Sequence, residues 1–139
     1  MTPEDMAALH AKAFSATRAW SVQEFADLLG HSGTLWRGNR DSFILMRIVA
    51  DEAEVLTIAT DPAKRRQGLA RAALKDAENA AALAGAREIF LEVAEDNLPA
   101  QTLYKAENYH QVGRRPGYYL PKNAAPVAAL VLRKDLKTN

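Results

Sequence analysis

The chain has 139 residues, a formal net charge of +1 and no cysteine, so it fits one domain able to bury about two-thirds of its unfolded surface. That composition excludes a disulfide framework, a thiolate metal site and a cysteine nucleophile, and its balanced charge announces no polyanionic partner such as nucleic acid. No apolar run approaches the about eighteen residues of a membrane span, and no basic or apolar leader opens the chain, so the expectation is a soluble cytoplasmic protein with no membrane partner.

The first elements are legible from their caps. Thr2, Pro3 and the acidic pair Glu4 and Asp5 open a helix over about residues 3–14, with Met6, Leu9, Ala13 and Phe14 on one stripe. Ser21-Val22-Gln23-Glu24 spells a capping box, so a second helix runs to Gly30 with Phe25, Leu28 and Leu29 inward. Trp20 just ahead of that cap is either a hydrophobic staple or a substrate-facing ring. Three apolar or alternating runs follow, Thr34 to Trp36, Phe43 to Val49 and Val55 to Ile58. Turn signals at Gly38-Asn39 and Asp51-Glu52 separate them, which predicts an antiparallel meander. The acidic residues Asp51, Glu52 and Glu54 read most simply as a solvated hairpin end, although a basic substrate would feel them.

The stretch from Ile58 to Arg71 changes character. A β-branched run stops at Asp61-Pro62, crosses Lys64, Arg65 and Arg66, and enters a helix read from Gln67 to about Ala84 and closed by Gly85. Gly68 lets the main chain approach a ligand without a Cβ in the way. The free N–H groups of Gln67, Gly68, Leu69 and Ala70 would then face outward at the positive end of a helix dipole, the arrangement that binds phosphate. A strand-to-helix turn with solvated arginines fits the same residues.

Glu88 to Val93 alternates as a strand, and strand, helix, strand of this length predicts a parallel crossover pair. Parallel strands are normally covered on both faces, so Glu92 points into a sheltered layer where an unpaired charge is costly. It is a functional candidate, or else a carboxylate at the open end of the strand paired with an arginine. Asn97 caps a short helix opened by Leu98, Pro99 and Ala100 and carrying Leu103 and Tyr104; Tyr104 is either functional or core packing. The chain ends with a strand over about 110–115, a Pro116 to Pro121 loop bearing Tyr118 and Tyr119, and a last strand over about 127–133. His10, His31 and His110 lie on separate elements without ligand spacing, so no metal is assigned.

Arg65-x-x-Gly68-x-Ala70 resembles the acetyl-CoA pyrophosphate loop of the GNAT N-acetyltransferases, whose pattern is Gln/Arg-x-x-Gly-x-Gly/Ala. Leu91-Glu92-Val93 followed by Asn97, Ala100, Leu103 and Tyr104 is similar to the RimI branch, the ribosomal-protein-alanine N-acetyltransferases. The resemblance runs over about residues 3–134. It implies an α/β fold with a mixed sheet, splayed central parallel strands and flanking helices. It also implies acetyl-CoA as cosubstrate, with its arm on Ile58 and Ala59 and touched by Asn97, and its pyrophosphate on Arg65, Arg66, Gln67, Gly68, Leu69 and Ala70. Glu92 and Tyr104 would act as base and acid, and Trp20, Tyr118 and Tyr119 are candidates for holding the acceptor, with surface loop packing the alternative for the two tyrosines. Two departures stand out. Asn108-Tyr109 replaces the usual Gly-Phe, which a left-handed cap tolerates, and no strand precedes the first helix, so either the sheet is one strand short or the start is truncated.

Direct attack by an amine suits this residue set, since no cysteine or activated serine is offered. With a reference pKa near 7.8, roughly a third of an N-terminal amine is neutral at pH 7.5, against about a thousandth of a lysine. The expected acceptor is the N-terminal alanine of a ribosomal protein, and the expected state a monomer or weak homodimer. A small-molecule amine as acceptor and a non-catalytic acyl-CoA-binding module are the alternatives.

Overall fold

The computed structural model describes residues 1–14, 19–120 and 125–136. Helix α1 (Pro3–Ala13) begins at a reciprocal cap, in which Thr2 Oγ1 accepts from the Asp5 N–H at 3.1 Å and Asp5 Oδ2 accepts from the Thr2 N–H at 3.0 Å. Helix α2 (Val22–Leu29) starts the same way on Ser21 and Glu24. Strands β1 (Thr34–Asn39), β2 (Ser42–Val49) and β3 (Glu52–Thr60) form the antiparallel meander. Helix α3 (Leu69–Leu83), strand β4 (Glu88–Ala94), helix α4 (Leu98–Ala106) and strands β5 (His110–Tyr119) and β6 (Val127–Asp135) complete a six-stranded mixed sheet in the order β1-β2-β3-β4-β6-β5. Among the described residues no strand precedes α1, and no helix is long and apolar enough to cross a membrane.

The two sheet faces carry separate cores because side chains alternate along a strand. Ile44 and Met46 of β2 pack with Leu74, Ala77, Ile89 and Leu91 on the α3 and α4 side, whereas Phe43 and Leu45 pack with Met6, Leu9 and Phe25 on the α1 and α2 side. On β3 the alternation breaks. Ala53 and Val55 join the α3-side core, and so does Ile58, while Leu56 and Ala59 face α1 and α2. The cause is a bulge: Leu45 pairs with Thr57 and Met46 with Val55, leaving Leu56 unopposed.

That bulge sits where the central pair separates. Parallel pairing of β3 with β4 covers only Glu52 with Glu88, Ala53 with Ile89 and Glu54 with Phe90. Beyond it β3 runs on to Thr60 and β4 to Ala94 without pairing to each other, which is the expected splay. A bulged strand bends and twists locally, and the bend leads β3 away from its neighbour.

Two local readings need correction. Helix α3 starts at Leu69 rather than Gln67, because Gly68 adopts φ +74° and cannot belong to the helix. Strand β5 does not stop at Arg115 but reaches Tyr119. An irregularity absorbs Pro116, Gly117 and Tyr118, since Arg115 pairs with Ala129 and Tyr119 next pairs with Val127. Proline is tolerated there because β5 is an edge strand, and Pro121 lies outside the described residues. Asn108 takes φ +70° at the end of α4, the left-handed cap expected of it.

Candidate active site

The basic turn after β3 is built as an anion cradle. Asp61 Oδ1 accepts from the Ala63 N–H at 2.9 Å and starts a 3₁₀ turn over Pro62–Lys64. Arg65 is extended, Arg66 is left-handed at φ +65°, and Gly68 precedes α3 with no side chain capping the helix. The first helical bond of α3 runs from the Ala72 N–H to the Gly68 carbonyl at 3.0 Å, so the preceding N–H groups have no acceptor within the helix. No acidic residue occupies the first turn. A Cβ built on Gly68 meets no heavy atom within 4 Å, so packing inside the chain does not demand a glycine. Its positive φ does, and the space in front is open to a ligand. Lys64, Arg65, Arg66 and Gln67 are all exposed around this helix end, which has the donors and charge that a pyrophosphate needs.

Next to the cradle lies the unpaired stretch of β3. Ile58 and Ala59 pair with Ile44 and Phe43 on the β2 side and have no strand partner on the β4 side, so main-chain groups there are left for an extended ligand arm. Asn97, three residues past β4, is exposed and caps α4, its Oδ1 accepting from the Ala100 N–H at 3.2 Å. Its amide nitrogen makes no bond to a described residue and is left as a donor for a ligand.

Glu92 departs from the expected sheltered layer. The β4 side chains facing α3 are Ile89, Leu91 and Val93, so Glu92 points to the other face. There it lines a cleft of about 340 Å³ with Arg47, Glu52, Glu54, Phe90 and Arg115. Its side chain is 22% exposed, and Oε1 pairs with Arg115 Nη1 at 3.2 Å. Glu92 is thus a carboxylate paired with an arginine, and Glu52 and Glu54 share the same cleft rather than a detached hairpin end.

Tyr104 sits on the inner face of α4, buried, its ring edge-on to Tyr109 at 5.8 Å. Burial first, and Tyr119 second, push its phenol well above the ordinary value. Tyr119 is itself raised to about 12, by burial, then the Glu92 charge, then Tyr118. Tyr119 thus feels the Glu92 charge, and Tyr104 in turn feels Tyr119. Tyr118 packs edge-on against Tyr119 at 5.2 Å and lies under the Arg115 guanidinium at 5.5 Å.

Trp20 stands apart from this group. Its ring stacks on His10 at 5.1 Å and tilts onto Phe25 at 5.5 Å, and the Trp20 main-chain N–H donates to His10 Nδ1 at 3.2 Å. These contacts belong to the α1 and α2 core, in agreement with the staple reading. Arg115 is the site residue that sequence reading missed. Neighbouring Arg114 pairs with Glu95 at 2.9 Å, so two adjacent arginines take different carboxylates on β4 and just beyond it. Only the β5-β6-β4 register decides which takes which.

The acetyltransferase (GNAT) family profile matches residues 7–108. An uncharacterised Mycobacterium leprae protein is 32% identical over 97% of this chain, which spans 39% of that protein's length. The [ribosomal protein bS18]-alanine N-acetyltransferase of Escherichia coli K12 is 31% identical over 81% of this chain and 79% of its own. Among solved structures, the Escherichia coli ribosomal-protein-S18-alanine N-acetyltransferase matches with a TM-score of 0.87 at 24% identity, covering 99% of this chain and 89% of the other. Arabidopsis thaliana NAA60 in complex with acetyl-CoA matches with a TM-score of 0.80 at 17% identity, covering 98% and 96%.

Proposed function

Because the chain belongs to the GNAT family of acetyl-CoA-dependent N-acetyltransferases, we propose that residues 1–139 act as one domain that acetylates a protein N-terminal α-amine, an N-terminal alanine above all. The observation that carries this reading is the parting of β3 and β4 beyond Glu54 and Phe90, with the uncapped basic start of α3 after β3 and Glu92 lining a cleft on β4. The relatives named for bS18 alanine acetylation suggest the acceptor class.

Bound acetyl-CoA supplies an activated thioester. Arg65, Arg66, Gln67, Gly68, Leu69 and Ala70 would hold its pyrophosphate, main-chain groups of Ile58 and Ala59 its arm, and the Asn97 amide nitrogen would reach it from the β4 side. Glu92 faces the cleft from which an acceptor amine arrives, and takes the proton as that amine attacks. Tyr104 keeps its proton through the neutral range because burial disfavours the phenolate. It therefore remains a donor for the departing thiolate. Tyr118 and Tyr119 would line the acceptor side.

The test is a panel of peptides and small amines offered with acetyl-CoA, following thiol release. A peptide beginning with alanine is expected to react at its α-amine, and the same peptide beginning with a bulky aromatic residue to react far more slowly. Glu92→Gln should slow the reaction most at low pH, where fewer amines are already neutral. Turnover confined to small amines would overturn the α-amine reading. A Glu92→Gln loss equal at about pH 7 and about pH 9 would remove Glu92 as the base.

A further inference from the structure

An arginine paired with the proposed base is an unexpected neighbour for a reaction whose acceptor arrives mostly as a cation. Arg115 Nη1 lies 3.2 Å from Glu92 Oε1, with the arginine side chain 59% exposed and the glutamate 22%. The same guanidinium rests over the Tyr118 ring at 5.5 Å, which supports the arm in this position. The other charged groups of the cleft are Arg47 on β2 and Glu52 and Glu54 on β3. With Arg115 in place the Glu92 end is electrically balanced. Without it, that end would present a bare carboxylate to any ammonium.

We infer that Arg115 selects a neutral acceptor amine over a cationic one by balancing the Glu92 charge, an inference that rests on the α-amine reading above. Its physical basis is like-charge repulsion in a partly desolvated cleft, where opposing charges are screened less than in water. An α-amine, neutral to a substantial degree near pH 7.5, passes this filter; a lysine, almost wholly charged, does not. Arg115 acts through Glu92 and needs no contact with the reacting atoms, so it is a specificity-determining rather than a catalytic residue.

The experiment is the pH dependence of KM for an alanine-initiated peptide at saturating acetyl-CoA. An α-amine is neutral to about one part in twenty at pH 6.5 and about four-fifths at pH 8.5, so wild-type KM is expected to fall roughly fifteen-fold over that range. In Arg115→Met the ammonium also binds to Glu92, and the fall should shrink to about threefold or less. Arg115→Lys keeps the charge and should keep the wild-type trend. A purely structural role would shift KM equally at every pH. A wild-type trend in Arg115→Met, or its loss in Arg115→Lys, would overturn the inference. Should Arg115→Met not turn over, calorimetric binding of the peptide to the enzyme with CoA reads the same trend. Wild-type enzyme that acetylates benzylamine but no peptide would overturn the α-amine reading alone, and the Arg115→Met comparison would then be made with benzylamine about its own pKa.

Discussion

Two glutamates, each near a pair of tyrosines, occupy opposite faces of the sheet and are treated in opposite ways. Glu78 of α3 is buried, accepts from Tyr109 Oη at 2.7 Å and from Lys134 Nζ at 2.9 Å, and is fixed by both. Glu92 of β4 has one partner, at 3.2 Å, borne on a largely exposed arm. The tyrosines divide likewise. Tyr109 spends its hydroxyl on Glu78, while no described residue hydrogen-bonds the Tyr104 hydroxyl. Residue type and burial are therefore poor guides to chemistry here. What separates the structural cluster from the candidate site is how completely its polar atoms are satisfied, since a tied group is held and an untied one is available.

That contrast can be broken by experiment, and the largest effect belongs to the structural side. Glu78→Ala leaves Lys134 without its carboxylate and Tyr109 without an acceptor, so stability in urea should fall by about 3 kcal/mol or more. Turnover per folded molecule should be unchanged. A loss of activity at constant stability would mean that the roles of the two clusters are reversed.

Paired tyrosine substitutions sharpen the comparison. Tyr104→Phe removes a donor with no partner to orphan, and should lower kcat by roughly a hundredfold while leaving stability within about 0.5 kcal/mol. Tyr109→Phe should do the reverse, removing about 2 kcal/mol of stability through the lost bond to a charged carboxylate and sparing kcat. Equal kcat losses in the two variants would dissolve the distinction.

The cradle has no internal partners either, so its substitutions should register in ligand affinity. Gly68→Val fills the open space and strains a left-handed residue, and CoA affinity by calorimetry should drop by roughly tenfold or more. Unchanged affinity in a folded variant would remove the pyrophosphate assignment.

The smallest effect is alkaline. The Tyr119 phenol is raised in the folded chain to about 12 by burial, then Glu92, then Tyr118, against about 10 unfolded. The associated stability is therefore fully present below about pH 10 and is lost as pH rises through the folded value. Between about pH 9 and pH 11, wild type should lose on the order of 1 kcal/mol more than Tyr119→Phe. Parallel losses in the two would mean that the Tyr119 phenol is not held in its buried seat.

The element order, the caps, the cradle and the motif-bearing positions of Glu92, Asn97 and Tyr104 were all legible in the sequence, because each rests on near neighbours. A capping box spans four residues, an Asp-Pro stop two, and a left-handed Asn108 answers only to its own backbone. Tertiary structure alone decided the rest. Which face Glu92 takes, that Arg115 rather than Arg114 meets it, that Tyr119 feels the Glu92 charge, and that Trp20 belongs to the α1 and α2 core all depend on partners distant in the chain. The Leu56 bulge is the plainest case: within β3 it is one more apolar residue in a strand, and only pairing with β2 leaves it unopposed, shifts the strand's phase and marks where the central strands part.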